Sequence, residues 1–125
     1  MSHAPELVRA IPVLPCLDIG RAVEFYAGRL GFAVLFRFDD HAALMRDGTE
    51  IHLRLCKDKK LPKNSGCRIE VRGIESFFEE CTKADVVAPD GTLEARSSNS
   101  REFGVQDGDG NTITFTEDSF AAGGA

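Results

Sequence analysis

The chain has 125 residues, the size of one ordinary domain, and is long enough to bury a hydrophobic core without disulfides or metals. Its formal charge of −5 makes nucleic acid an unfavourable partner, because phosphate backbones are bound by basic surfaces. No apolar run approaches the roughly 20 residues of a membrane span, and "MSHAPELVRA" at the start lacks the apolar core of a signal peptide. We therefore expect a cytoplasmic globular protein that binds neither nucleic acid nor membrane.

The first half of the chain predicts a strand, a helix and three further strands. "AIPVLPCL" at 10–17 is apolar on both faces and contains two prolines, so we expect a strand paired along one side only or lying at a junction between sheets. Asp18 is the predicted N-cap of the helix and Gly31 its stop. Its buried stripe is predicted to be Ile19, Ala22, Val23, Tyr26 and Leu30. The three strands are predicted at 32–38, 41–46 and 50–55.

The same order of elements returns after the basic linker "KDKKLPK" at 57–63, which we expect to be solvated. "CRIEVR" at 67–72 alternates as a strand does, and "GIESFFEECTKA" at 73–84 predicts a second helix. This helix is expected to bury Ile74, Phe77, Phe78 and Cys81. Residues 85–100 predict only a short strand near 93–95 within a loop, and two strands around the turn "DGDG" close the pattern.

The chain is therefore predicted to be an internal repeat of two βαβββ modules. The helices begin at Ile19 and Ile74, and the last hairpins carry Ile51 and Ile113, with offsets of 55 and 62 residues. We expect an α+β fold in which the two tandem modules form a curved mixed sheet around a cleft. The predicted boundaries are a flexible arm at 1–8, a single domain at 9–118 with modules at about 9–56 and 66–117, and a disordered tail at 119–125.

Strand alternation assigns two faces to each module. The face towards the helix is predicted to carry Ile51, Leu53, Leu55, Ile113 and Phe115. The opposite face is predicted to carry Glu50, His52, Arg54, Thr112, Thr114 and Thr116. Since the helices cover only one face, the second faces are expected to line the cleft, and their polar side chains are where ligand chemistry is expected.

Paired βαβββ modules, "LDIGRAVEFYAGRLGF" and "DGDGNTITF" resemble the vicinal oxygen chelate superfamily, which includes glyoxalase I, extradiol dioxygenases, fosfomycin-resistance enzymes and bleomycin-resistance proteins. Within it, "IPVL", "FDDHAALMRDG", "VRGIESFFEEC" and "REFGVQDGDGN" are most similar to the bleomycin-resistance proteins. The resemblance covers about residues 9–117. It implies a homodimer with a ligand groove at the interface, whose first strand is exchanged between subunits with Pro12 at the hinge.

Enzymes of this superfamily hold a divalent metal at four cleft positions, usually with His, Gln and Glu. The resemblance and the repeat offsets place these positions at Ile11, His52, Gly66 and Thr114. Only His52 is a good ligand, and a catalytic metal needs about three protein ligands. We therefore expect no metal, no other cofactor and no catalytic residue. A metal-dependent glyoxalase, dioxygenase or thiol transferase is the alternative.

The predicted ligand site combines aromatic and charged side chains. Phe36 and Phe38 share a face of the second strand and either stack on a planar ligand or fill core. His52 either contacts the ligand or is hydrogen-bonded to a neighbour such as Glu50 or Glu70. Glu50, Glu70 and Glu102 either attract a cation or pair across strands with Arg54, Arg68 and Arg101. The full predicted set is Phe36, Phe38, Glu50, His52, Arg54, Arg68, Glu70, Thr112 and Thr114.

These features together predict a protein that binds a small, planar, partly cationic molecule without catalysis. For a bleomycin-type antibiotic, binding alone would confer resistance by sequestration. The chain contains no tryptophan, which bleomycin-resistance proteins commonly use in their groove, so we expect micromolar affinity. Binding of an endogenous metabolite by the same cleft is the other reading that the residues leave open.

Overall fold

A computed structural model describes residues 4–97 and 99–118, which form two four-stranded mixed sheets and their helices. The first sheet has the spatial order β1-β4-β3-β2 and consists of β1 (Val13–Cys16), β2 (Ala33–Arg37), β3 (His41–Arg46) and β4 (Thr49–Leu55). The second has the order β5-β8-β7-β6 and consists of β5 (Gly66–Glu70), β6 (Glu94–Ser97), β7 (Ser100–Gln106) and β8 (Thr112–Asp118). The helices are α1 (Ile19–Glu24), which continues as a π-helix over Phe25–Arg29, α2 (Lys60–Lys63) and α3 (Ile74–Lys83). The predicted α+β fold of two βαβββ modules is confirmed.

The register of the two sheets follows the repeat found in the sequence. In each sheet the first strand pairs in parallel with the last, and the remaining pairs are antiparallel. The parallel pair Val13–His52 corresponds to Arg68–Thr114 in the second sheet, at the predicted offsets of 55 and 62 residues. As expected from its prolines, β1 is paired along one side only, with β4.

Both main helices begin where the sequence predicts, but their first turns are capped differently. The Asp18 side chain accepts a hydrogen bond from the Arg21 backbone N–H at 2.9 Å, and Gly31 follows the helical segment with a φ of 72°. In α3 the cap comes from another strand, because the Glu117 carboxylate of β8 accepts from the N–H of Ile74 at 3.1 Å. A carboxylate at a helix N-terminus also interacts favourably with the helix dipole.

The two modules share one hydrophobic core, and each hairpin turn packs on the helix of the other module. At the end of β3, the Arg46 guanidinium lies 5.1 Å from the Phe77 ring centroid and forms an ion pair of 2.6 Å with Glu80, both in α3. In the opposite direction, the Tyr26 hydroxyl of the first module donates to Asp107 beside β8 at 2.6 Å. The reciprocal contacts hold the two sheets in a fixed relation.

The structure corrects the sequence analysis at several places. Phe78, expected on the buried stripe of α3, is only partly buried, and Thr116, expected on the open face, is buried at 6% exposure. Leu55 was expected to be buried but is 40% exposed, because it ends β4 beyond the face that α1 covers and lies at the surface near Leu17 and Phe38. The linker expected to be solvated contains the short helix α2, which buries Pro62. The last strand before β7 spans Glu94–Ser97 rather than 93–95.

The described residues 4–12 contain neither helix nor strand, whereas the tail expected at 119–125 lies outside the described residues. None of the helices in the described ranges has the length and hydrophobicity needed to cross a membrane.

Candidate functional site

The face of the first sheet that points away from α1 carries a cluster of aromatic and imidazole rings, which we call the His–Phe cluster: Phe36, Phe38, His41, Glu50 and His52. The Phe36 ring stacks on His41 with centroids 5.6 Å apart and planes inclined by 15°. Phe38 lies 5.3 Å from Phe36, and His52 meets the Phe36 ring edge-on at 5.7 Å. Phe36 and Phe38 remain 37% and 64% exposed, so their rings are accessible to a ligand.

A β-bulge places both phenylalanines on this face. Val34 pairs with Leu44, whereas Phe36 pairs with Ala43, so the intervening Leu35 is an extra residue in β2. Strict alternation would put Phe36 on the same face as Val34, which pairs with the buried Leu44; the extra residue turns Phe36 to the opposite face. Ala43 pairs on its other side with His52, and its methyl side chain allows the flanking rings of Phe36 and His52 to approach each other.

A chain of hydrogen bonds connects the ionisable members of the His–Phe cluster. Glu50 Oε2 lies 2.6 Å from His52 Nε2, and His52 Nδ1 lies 2.9 Å from His41 Nε2. The other carboxylate oxygen of Glu50 accepts from the Arg9 guanidinium at 2.8 Å. These bonds from His52 and Arg9 lower the pKa of Glu50 below its ordinary value. The cluster therefore contains an ionised carboxylate beside exposed aromatic rings.

The corresponding face of the second sheet has a different chemistry. Arg68 of β5 and Arg96 of β6 both pair with Glu102 of β7, at 3.1 and 2.8 Å. Thr112 is exposed and Thr114 is partly buried on β8. The arginines thus occupy the carboxylate of Glu102, and this face offers hydroxyls and ion pairs instead of aromatic rings.

The structure brings together four of the predicted ligand-site residues in the His–Phe cluster: Phe36, Phe38, Glu50 and His52. Arg54 lies on the same face of the first sheet, opposite His41. The other four belong to the second sheet: Arg68, Glu70, Thr112 and Thr114. Within residues 4–97 and 99–118, no hydrogen bond, ion pair or ring contact joins this cluster to the second sheet's open face. Arg54 pairs across strands with His41, but neither its side chain nor that of Glu70 forms an ion pair with a described residue.

The alternatives left open by the sequence are resolved for several pairs. The hydrogen-bond partner of His52 is Glu50 and not Glu70. The arginine beside Glu50 is Arg9 and not Arg54. Sequence reasoning did not select His41 or Arg9. His41 begins β3 two residues before Ala43, so alternation along the strand places it on the face of Phe36. That spacing is the signal that would have identified His41.

The four positions that hold metal in related enzymes do not form a metal site here. Gly66 lies so close to the Thr112 carbonyl oxygen that a Cβ atom would be 2.1 Å from it, so this position admits no side chain. Ile11 has no donor atom, and both ring nitrogens of His52 are engaged by His41 and Glu50. Among the described residues, no group of three His, Cys, Asp or Glu side chains is arranged to hold an ion. The residues do not fit the superfamily's metal.

Comparisons with known proteins agree with this architecture. The family model for the Glyoxalase/Bleomycin resistance protein/Dioxygenase superfamily matches residues 10–115. The bleomycin resistance proteins of Geobacillus stearothermophilus and Staphylococcus aureus are each 29% identical to the chain over 126 residues, covering 87% of it and 96% of the relative.

Two solved structures are similar over the same extent. The bleomycin-binding protein from bleomycin-producing Streptomyces verticillus, complexed with copper(II)-bleomycin, has a TM-score of 0.80 and 27% identity and covers 90% of this chain and 97% of its own. The bleomycin resistance determinant encoded on transposon Tn5 has a TM-score of 0.78 at 20% identity, covering 90% of this chain and 98% of its own. With the family match extending over nearly the whole chain, the protein belongs to the Glyoxalase/Bleomycin resistance protein/Dioxygenase superfamily.

Proposed function

We propose that this protein binds a bleomycin-type antibiotic, or another planar cationic compound, and acts by sequestering it without changing it. The observation that carries the proposal is the His–Phe cluster, in which the exposed rings of Phe36 and Phe38 contact each other and Phe36 contacts both histidines of the chain that leads to the ionised carboxylate of Glu50. The similarity to bleomycin resistance proteins over most of the chain supports the same ligand class.

The chemistry of the cluster suits such a ligand in two ways. Aromatic rings bind a flat group by stacking and attract a cation through their faces. A negative net charge adds long-range attraction for a cation, which salt screens. Since the chain has no tryptophan, we expect micromolar affinity, which corresponds to about −8 kcal/mol.

We infer that the protein is not an enzyme and uses no cofactor. The superfamily includes enzymes, but three of the four metal positions here have Ile, Gly and Thr, and Ile and Gly offer no donor side chain. Bleomycin incubated with the protein should be recovered unchanged by mass spectrometry. Elemental analysis showing about one Mn, Ni, Zn or Fe per chain after dialysis, lost in His52→Ala, would overturn this inference.

We also propose that the protein is a homodimer with the ligand groove at its interface. The His–Phe cluster lies on an open sheet face, and the same sheet exposes the apolar side chains of Val13, Val34 and Leu35 by about half. Such apolar exposure is typical of a subunit interface. In the single chain β1 pairs with its own β4; exchange of β1 between subunits, with Pro12 at the hinge, stays a prediction. A monomer in light scattering at micromolar concentration would contradict the dimer.

Calorimetry with metal-free bleomycin tests the central proposal directly. We expect saturable heat with a dissociation constant in the micromolar range and a matching rise in melting temperature, because a ligand that binds only the folded state stabilises it by mass action. The absence of both signals at millimolar drug would remove the antibiotic from the proposal and leave a metabolite as the ligand of this cleft.

A further inference from the structure

We propose that His41 accepts a hydrogen bond from the ligand through its Nδ1 atom, so that the site selects planar compounds that carry a cationic N–H donor, such as an ammonium, amidinium or guanidinium group. The inference rests on the proposed function above and adds a residue that determines specificity. It follows from the order of the hydrogen bonds in the His–Phe cluster.

The first step is the direction of the bond between Glu50 and His52. An ionised carboxylate accepts hydrogen bonds and donates none. Because bonds from His52 and Arg9 keep the pKa of Glu50 low, the proton in the 2.6 Å contact belongs to His52 Nε2. In the neutral imidazole of His52, Nδ1 is then the nitrogen that carries a lone pair.

The second step follows at the contact between the two histidines. The 2.9 Å separation of His52 Nδ1 and His41 Nε2 requires one donor and one acceptor. Since His52 Nδ1 is the acceptor, His41 Nε2 carries the proton and His41 Nδ1 carries a lone pair. The carboxylate of Glu50 therefore fixes the tautomer of both rings, and the last acceptor of the chain is His41 Nδ1.

The third step is the position of this acceptor. His41 Nδ1 has no hydrogen-bond partner among the described residues, and the His41 ring is only partly buried. The ring stacks on Phe36, beside Phe38, so a flat ligand on these rings has its edge close to the acceptor. Charged donors gain more from such a bond than neutral ones, and polarisation along the chain from Glu50 strengthens it.

Nuclear magnetic resonance of the ¹⁵N-histidine-labelled protein tests the tautomer without any ligand. At about pH 8, above the usual imidazole range, we expect His41 to show a protonated Nε2 and an unprotonated Nδ1. Glu50→Leu should abolish this preference, because it removes the acceptor that orients His52. A proton on His41 Nδ1 in the unsubstituted protein at this pH would overturn the inference.

Calorimetry with metal-free bleomycin tests the role in binding. His41→Phe keeps a ring on Phe36 but removes the Nδ1 acceptor together with the Nε2–H donor to His52, and it should weaken binding by about ten-fold at pH 8. Thr82→Ala, at an exposed position of α3 outside the predicted ligand site, is the control and should behave as the unsubstituted protein does.

The possible failures can be told apart. If the unsubstituted protein binds the drug and His41→Phe binds it equally well at pH 8, the role of His41 is wrong and the proposed function stands. If the unsubstituted protein gives no heat with the drug, the proposed function fails and the inference fails with it.

Discussion

The two modules have the same order of elements and the same strand pairing, but their open faces have diverged completely. The first carries the stacked rings of Phe36, Phe38 and His41, whereas the second carries an arginine–glutamate network centred on Glu102. Their buried faces, by contrast, are both apolar and contribute to one core. Core packing therefore constrains one face of each sheet, and ligand specificity must be sought on the other.

The Asp-Gly hairpin turns of the modules differ as much as the open faces. In the first, the side chain of Asp47 is 91% exposed and makes only a 3.7 Å contact with Arg46. In the second, Asp107 is buried; one oxygen accepts three backbone N–H groups of residues 109–111, and the other accepts from Tyr26 and Asn111. The same dipeptide is thus a simple turn in one module and a structural anchor between modules in the other.

The largest effect that would test this contrast is expected from Asp107→Asn. The substitution replaces one carboxylate oxygen, which accepts hydrogen bonds, by an NH2 group, which only donates them. This group then faces either the donors of Tyr26 and Asn111 or the N–H groups of the turn backbone. Unsatisfied or opposed buried donors should lower the free energy of unfolding by about 3 kcal/mol. Urea denaturation followed by circular dichroism measures this loss.

Asp47→Asn is the matched control, with the same change at the corresponding turn. Its side chain is exposed, and Asn tolerates the positive φ of 51° at this position, so we expect a change of about 0.5 kcal/mol or less. Equal losses in the two variants would show that the turns do not differ in the way the structure indicates.

Alternation and helix periodicity were sufficient to predict most of the buried residues. The stripe of α1 and the inward side chains Ile51, Leu53, Ile113 and Phe115 are all buried. Apolar residues at the period of a helix or a strand fall on one face of the element, and that face is buried against the core. Leu55 was the exception, since period alone does not show where a covering helix stops.

The His–Phe cluster was less accessible from sequence. The bulge at Leu35 has no marker in "AVLFR", and it decides which face Phe36 occupies. The partner of Glu50 is Arg9, 41 residues away in a segment without regular structure, so no local pattern predicts their pairing. Long-range side-chain contacts of this kind depend on the assembled fold.

An intermediate effect is expected from Phe38→Ala, which tests the difference between the open faces. Loss of a stacking ring should weaken bleomycin binding by about ten-fold, or about 1.4 kcal/mol. Because Phe38 is 64% exposed, its removal should leave the free energy of unfolding nearly unchanged. Titration calorimetry and thermal melting measure the two quantities on the same sample.

Thr112→Ala is the comparison from the second module. If the ligand contacts mainly the His–Phe cluster, this substitution should change affinity by less than about two-fold. A loss at Thr112 equal to that at Phe38 would mean that both open faces bind the ligand, as they would in a groove formed by two subunits.

The smallest effect concerns the second link between the modules, the ion pair of Arg46 with Glu80. This pair keeps the pKa of Glu80 below its ordinary value of 4.5, so its contribution to stability is present above that value and is lost as pH falls through the lowered pKa. The Glu80 side chain is 47% exposed, and the contribution should be only about 0.5 kcal/mol at neutral pH.

Glu80→Gln should therefore lower stability slightly at pH 7, and its difference from the unsubstituted protein should shrink as pH falls through the lowered pKa of Glu80. Glu79→Gln on the same helix is the control, because Glu79 forms no ion pair with any described residue and its removal should leave the stability at pH 7 unchanged. The bonds from Arg46 to the Leu30 carbonyl and its contact with Phe77 survive in Glu80→Gln, which is why the loss is small. We assign the buried turn of Asp107 as a stronger link between the modules than this surface ion pair. A loss of stability in Glu80→Gln as large as that in Asp107→Asn would contradict this assignment.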